Sequence, residues 1–281
     1  MMTFREIILK TARHFQDAGI PDAVNDASLL MSRLTGRPPL DLRLDFETVP
    51  DPSVLSMYST MVEKRMARVP LQYILGEAPF FSRLFSINEN VLIPRPETEL
   101  LCEWILETIT CIRSPRILDL CCGSGCIGLT LKAERPDADV MLSDLSAKAL
   151  EVAANNAVKL SVDVSFHQGD LFAGLPSAAV NFDLIVSNPP YIPSAECATL
   201  QPEVLHEPRL ALDGGADGLD LYRRIVHDAG SFLVPGGRLF MECGSGEAGS
   251  IASLLNANGF ASVTIRKDYS RIDRMILATI P

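Results

Sequence analysis

The chain lacks any run of about 18 apolar residues, so it offers no segment of the length that crosses a bilayer as a helix. It has no C-x-x-C pair. Its seven cysteines, Cys102, Cys111, Cys121, Cys122, Cys126, Cys197 and Cys243, are odd in number. That suits neither a disulfide framework nor a zinc site. They read as small buried residues of a reducing compartment, and no metal is expected. The first residues, MMTFREIILKTARHFQ, mix charges into the apolar positions and lack the apolar centre of a signal peptide. The expected location is the cytoplasm, with no membrane partner. Positive charge is also in short supply: 25 Lys and Arg face 35 Asp and Glu, a net charge of −10. A protein that grips a duplex normally shows a basic face, so no direct nucleic-acid partner is expected. The imbalance is local. Residues 1–75 hold nine basic and nine acidic side chains, leaving 16 against 26 in the rest. No internal repeat and no low-complexity tract breaks the chain.

What is present is ordinary globular composition, 47% hydrophobic and 21% charged over 281 residues. That length supports one large or two modest domains with a sizeable core. Ile7, Ile8, Ala12 and Phe15 follow helical spacing, ending near Gly19. Ala27, Leu30, Met31 and Leu34 do the same before Gly36, as do Val54, Met57, Tyr58, Met61 and Val62 after Pro52. Residues 1–75 therefore read as a small helical bundle. Residues 76–95 turn β-like, with Phe80, Phe81, Phe85 and Ile87 facing Val91 to Ile93 across an Asn88-Glu89-Asn90 turn, and are expected to form a hairpin linker.

From residue 96 to 281 helical and strand patterns alternate. Glu97 to Ile109 is helical. Strand-like segments follow at Ile117–Cys121, Val140–Ser143, Val164–His167, Leu184–Ser187 and Arg238–Glu242, with helices such as Ala147–Lys159 and Leu219–Ala229 between them. Such alternation predicts a mainly parallel, doubly wound α/β sheet. Two last strands, Ser262–Arg266 and Arg274–Ile280, lie too close for a helix between them and predict an antiparallel hairpin, making seven strands.

Ligands of such sheets bind beyond the carboxyl ends of the strands. Asp119 ends the first strand and leads into Cys121, Cys122, Gly123, Ser124 and Gly125. With Gly128 the glycines spell G-x-G-x-x-G, a weak signal alone. Asp144 ends the second strand, 19 residues past Gly125, where an acid can accept from both hydroxyls of a ribose. Asp170 and Leu171 follow the third, suited to an adenine amino group and ring. Any one of these acids could be a helix cap; three at successive strand ends point to a nucleoside. NAD and S-adenosylmethionine fit equally to this point. The fourth strand separates them. Asn188, Pro189, Pro190 and Tyr191 offer a side-chain acceptor, carbonyls freed by two residues without N–H groups, and a flat ring. That set suits a planar NH₂ group held by both hydrogens.

Asn188-Pro-Pro-Tyr191 after such a sheet resembles the amino-group methyltransferases. The fuller resemblance is to the release-factor glutamine N5-methyltransferases, the PrmC/HemK family. Pro70-Leu-Gln-Tyr-Ile-Leu-Gly76, Leu92-Ile-Pro-Arg-Pro-Glu-Thr-Glu99, Glu207-Pro-Arg-Leu-Ala-Leu212 and Lys267-Asp-Tyr-Ser-Arg-Ile-Asp-Arg274 look like its signatures, and the similarity spans nearly the whole chain. It implies a Rossmann-like sheet using S-adenosylmethionine and a helical domain that docks the substrate. The implied substrate is the Gly-Gly-Gln glutamine of class 1 peptide chain release factors. Cys121 to Gly125, with Asp119 nearby, would wrap the methionine end, Asp144 the ribose, and Asp170 and Leu171 the adenine. Asn188 would border the cofactor. Asn188 and Pro189 would accept the two hydrogens of the substrate amide while Pro190 and Tyr191 pack on it. A monomer is expected. A glutamine of a ribosomal protein, or an amino group of a nucleic acid, is the alternative acceptor. Cys121 stands where many methyltransferases have glycine, and Glu247 where similar proteins often have glutamine.

Overall fold

The structure is a computed structural model describing residues 2–175 and 181–281. Met1 of the expected bundle and residues 176–180 of the expected α/β region lie outside the described residues. The chain packs as two units. One runs through Glu77 and takes in Gln201–His206; the other holds Ala78–Leu200 and Glu207–Pro281. Among the described residues no helix is long and apolar enough to cross a membrane.

The first unit is helical: α1 (Phe4–Asp17), α2 (Ala23–Thr35), α3 (Pro39–Arg43), α4 (Pro52–Met66) and α5 (Leu71–Leu75). Thr3 and Glu6 cap α1 reciprocally, each side chain accepting from the other's backbone N–H. Gly36 ends α2 in the left-handed conformation at φ 69°, which costs glycine nothing. The expected stripes meet: Ile8, Phe15, Ala27, Leu30, Met31 and Leu42 are fully buried together. Each large side chain so buried contributes about 1.5–3 kcal/mol. The α4 stripe is narrower than its spacing predicts, since Tyr58 is buried while Met57 is half exposed. The Tyr58 hydroxyl is satisfied by donating to the Ala27 carbonyl. Arg65 is buried too, and donates to both Asp26 and Glu203 at 2.8 Å. Arg68 donates to the other oxygen of Glu203, so two guanidinium groups tie residues 201–206 into this unit.

The second unit is a seven-stranded sheet in the order β5-β4-β3-β6-β7-β9-β8. A small hairpin, β1 (Glu77–Phe80) and β2 (Arg83–Ser86), precedes it. The sheet strands are β3 (Arg116–Leu120), β4 (Asp139–Asp144), β5 (Ser165–Gln168), β6 (Phe182–Ser187), β7 (Leu233–Glu242), β8 (Ala261–Lys267) and β9 (Asp273–Thr279). The first five pair in parallel and β9 runs antiparallel between β7 and β8. The helices α6 (Pro96–Thr108), α7 (Cys126–Glu134), α8 (Ala147–Leu160), α9 (Asp220–Ala229) and α10 (Ala248–Ala257) cover it. The period of two sorts the strands. Ile117, Leu184, Val186 and Phe240 join the core with α6, α7 and α8. Leu118, Ile185, Leu239 and Met241 join the opposite core with α9 and α10. Burial on both faces explains why these strands read as near-continuous apolar runs.

Two local expectations change. The hairpin turns at Phe81 and Ser82, both at positive φ, and not at 88–90. Val91 to Ile93 forms no strand; Val91 and Ile93 are buried as irregular chain, and the Ile93 N–H is taken by the Glu207 carboxylate. Helix α10 has no counterpart in the spacing analysis, because Gly249 and the serines at 250 and 253 dilute its apolar face.

Candidate functional site

Strands β3 and β6 are neighbours, while β4 and β5 extend the sheet one way and β7 the other. Strand order therefore reverses beside β3, and the loops there part to leave a crevice at the carboxyl ends. A cavity of about 490 Å³ occupies that place, formed within the second unit. Its floor is the turn from β3 into α7. Cys121 (φ 61°), Gly123 (φ 53°) and Gly125 (φ 78°) all take the left-handed region, which folds the chain tightly enough to bring backbone up to the cavity. A Cβ on Gly123 would meet nothing within 4 Å, whereas one on Gly125 would lie 2.9 Å from Leu142. The first glycine leaves room on the cavity side and the second permits close packing.

Asp144, at the end of β4, fixes this loop. One carboxylate oxygen accepts from the Gly123 N–H at 2.9 Å and the other from the Ser146 N–H at 2.8 Å. Burial raises its pKa and these backbone donors lower it, leaving a net rise. The Leu145 N–H bonds to it as well, so of its roughly four lone-pair sites one is left to accept a hydroxyl. Asp119 has a different place. It is fully buried beneath the loop, accepts from the Gly128 N–H at 2.8 Å, and does not line the cavity. Burial pushes it up to about 7, with the charge of Asp144 adding to the rise. Its second oxygen has no partner among the described residues.

Asn188 stands at the mouth of β6 and lines the same cavity. Its side-chain nitrogen lies 3.5 Å from the Thr98 hydroxyl, which donates at 2.6 Å to Glu242. Glu242 is buried, and burial pushes it up to about 7. Thr98 sits in the first turn of α6, where Pro96 at the first helical position and Glu97 and Glu99 suit a helix N-terminus. The preceding loop is pinned by Glu207, which accepts from the Ile93 N–H and from Arg95. Glu99 accepts from the Phe81 N–H and holds the β1–β2 turn. Pro189 is buried, and neither it nor Tyr191 lines the cavity; Tyr191 packs with the core on the α9 side, and burial pushes its hydroxyl up to about 12. The chain at Tyr191 is gripped from outside. A Cβ on Gly214 would lie 2.7 Å from its Cα, and one on Gly218 would lie 2.4 Å from its carbonyl oxygen.

The structure thus brings Cys121, Cys122, Gly123, Ser124, Asp144, Asp170, Leu171, Asn188 and Pro190 to one cavity, and leaves Asp119, Gly125, Pro189 and Tyr191 behind its wall. Asp170 reaches it exposed and paired with Arg224 at 2.9 Å. Sequence reasoning missed Thr98, Ser143 and Arg224 as lining residues. Thr98 lay inside a motif already singled out. Arg224 had only the exposed face of an amphipathic helix as its signal. The hydroxyls of Ser124 and Ser143 are buried, line the cavity and have no partner among the described residues. Orphaned donors, a carboxylate with a spare lone pair and open space over Gly123 fit a nucleoside cofactor carrying an amino-acid tail.

Residues 96–247 match the Methyltransferase small domain family, and residues 6–76 the PrmC N-terminal domain. Among solved structures, a methyltransferase from Pyrococcus furiosus shares the fold with a TM-score of 0.53 at 16% identity, over 80% of this chain and 98% of that one. A T. thermophilus 16S rRNA methyltransferase in complex with AdoMet and guanosine has a TM-score of 0.54 at 19% identity, over 73% of this chain and 50% of that one. Among curated proteins, the release factor glutamine methyltransferase of Deinococcus radiodurans is 39% identical over 99% of this chain and 98% of its own length. The Cereibacter sphaeroides protein of the same description is 41% identical over 94% of each. With that identity sustained along its full length, the chain belongs to the release factor glutamine methyltransferase family.

Proposed function

We propose that this chain transfers a methyl group from S-adenosylmethionine to the side-chain amide nitrogen of the glutamine in the Gly-Gly-Gln loop of class 1 peptide chain release factors. The observation that carries the reading is Asn188 on the cavity wall, its NH₂ group turned to Thr98 and its oxygen left for another partner. A glutamine amide nitrogen is a poor nucleophile because its lone pair is delocalised. The cofactor supplies an electrophilic methyl on a sulfonium. The chain's task is orientation. In this reading Cys121 to Ser124 hold the methionine end, Asp144 the ribose, and Asp170 and Leu171 the adenine. Asp119 and Gly125 support the loop from beneath. The Asn188 oxygen accepts a hydrogen of the substrate amide, a bond that strengthens as the nitrogen becomes positive. Pro190 borders the slot and Tyr191 backs it from behind the wall. Solvent takes the proton after transfer. The reading includes a monomer, a cytoplasmic location and no direct nucleic-acid partner, the last supported by the net charge of −10.

Incubation of purified release factor, ribosomal proteins, RNA and DNA with labelled S-adenosylmethionine, followed by mapping of the label, tests the reading. Label on the Gly-Gly-Gln glutamine is expected. Label confined to a ribosomal protein, or to RNA or DNA, would overturn it. Within that assay Asn188→Ala should lower kcat by about 10²–10³, the usual cost of one preorganised polar partner. A folded variant within about threefold of the parent would show that Asn188 does not grip the amide.

A further inference from the structure

Glu242 has no part in the chemistry above, yet it is 2% exposed directly behind the cavity wall. A buried acid is costly unless its oxygens are bonded. Here one oxygen accepts the Thr98 hydroxyl at 2.6 Å, and the Asn188 amide also bonds to the carboxylate. The direction of these bonds has a consequence for Asn188. A threonine hydroxyl has one proton. With Glu242 ionised, that proton is donated to the carboxylate and the Thr98 oxygen can only accept. The group of Asn188 that faces it at 3.5 Å must then be the NH₂. Turning the Asn188 amide over would set acceptor against acceptor at both Thr98 and Glu242.

We infer that Glu242, acting through Thr98, is a positioning residue that fixes the flip state of the Asn188 amide, so that its oxygen and not its NH₂ faces the substrate amide. The inference rests on the proposed role of Asn188 and extends it to specificity. A site presenting an oxygen selects an acceptor with hydrogens to give, a primary amide or amine. A site presenting NH₂ would meet the glutamine NH₂ donor to donor.

The test uses the full chain with Thr98→Val, which keeps the shape and removes the hydroxyl, Thr98→Ser, which restores it, and Glu242→Gln. The first readout needs no catalysis. The side-chain amide signals of Asn188 in ¹⁵N-labelled protein are identified by their loss in Asn188→Ala. They should move in Thr98→Val and in Glu242→Gln, and stay near the parent positions in Thr98→Ser. Signals unmoved in folded Thr98→Val would overturn the relay, and that variant decides the matter if Glu242→Gln does not fold. The second readout is single-turnover methyl transfer to release factor. Thr98→Val should slow it about tenfold, the size of one lost buried hydrogen bond, and Thr98→Ser should recover most of the rate. In an Asn188→Ala background the same Thr98→Val change should cost less than about twofold, because both act through one group. Costs that multiply instead would assign Thr98 and Glu242 to packing alone. Failure of the parent to methylate release factor would overturn the proposed function, while the amide signals would still decide the relay.

Discussion

Two aspartates at adjacent strand ends show how position divides labour between like side chains. Asp144 reaches the cavity with a lone pair to spare; Asp119 lies under the loop and supports Gly128. Asp144→Ala removes both the acceptor proposed for a ribose and the anchor of the Gly123 N–H. Hydrogen bonds to charged groups contribute about 1.5–3 kcal/mol, so cofactor affinity measured by calorimetry should fall about ten- to hundredfold. Unchanged affinity would take Asp144 out of the site. Asp119 carries a pH dependence instead. Its folded pKa is raised from 3.8 to about 7 by burial. The stability it supplies in the neutral form is complete below the unfolded value and is lost as pH rises through the folded one. Asp119→Asn keeps an acceptor for Gly128 without the charge. Its melting temperature relative to the parent should therefore rise between about pH 4 and pH 8 in the free protein. A constant difference across that window would contradict the buried, neutral aspartate.

At the scale of elements, the β3–α7 turn joins two different demands in one short segment. Gly123 borders open space, while a Cβ on Gly125 would lie 2.9–3.2 Å from Leu142, Leu129 and Ala153. Gly125→Ala should lower stability by about 1–3 kcal/mol, combining left-handed strain with a packing clash. Gly123→Ala meets the strain alone and should melt closer to the parent, yet lose more cofactor affinity, since its methyl projects where the ligand would lie. Thermal melts and calorimetry on the pair check both; the reverse order of melting would be inconsistent with these walls. The elements also show what spacing reads well. Helices α1, α2 and α8 and strands β3 to β6 fall where periodicity and turn residues place them. The hairpin turn does not, because Phe81 and Ser82 take positive φ, with the Phe81 N–H bound to Glu99, a residue 18 positions on. No local rule anticipates a turn stabilised from that distance.

For the whole molecule, the helical unit and the sheet unit each hold their own core, and every residue lining the cavity belongs to the second. Removing residues 1–76 should leave cofactor affinity within about threefold in a truncation that folds, since a factor of three is only about 0.7 kcal/mol. Methylation of intact release factor should fall much more than methylation of a short glutamine peptide if the helices dock the substrate. Equal losses would count against docking. Arg65 and Arg68 go with the deletion, and Glu203 loses both its partners, so the segment at 201–206 should gain protease sensitivity.

The sequence by itself determined the layered α/β architecture, the antiparallel end of the sheet and the residues at the strand ends. Burial on one face or two leaves a periodic trace in apolar residues, and glycine, proline and asparagine mark where chains turn. The family was legible as well, because its motifs are short contiguous strings. Only the tertiary structure decided which of those residues face the cavity. Asp119 and Asp144 look alike in sequence, and Pro189 and Pro190 are neighbours, yet one of each pair lines the cavity and the other does not. Glu242 meets Thr98, and with it Asn188, across 144 positions of chain from that threonine. Hydrogen bonds between distant segments have no period and no spacing to read; they exist once the strands pair in parallel and the helices close over them.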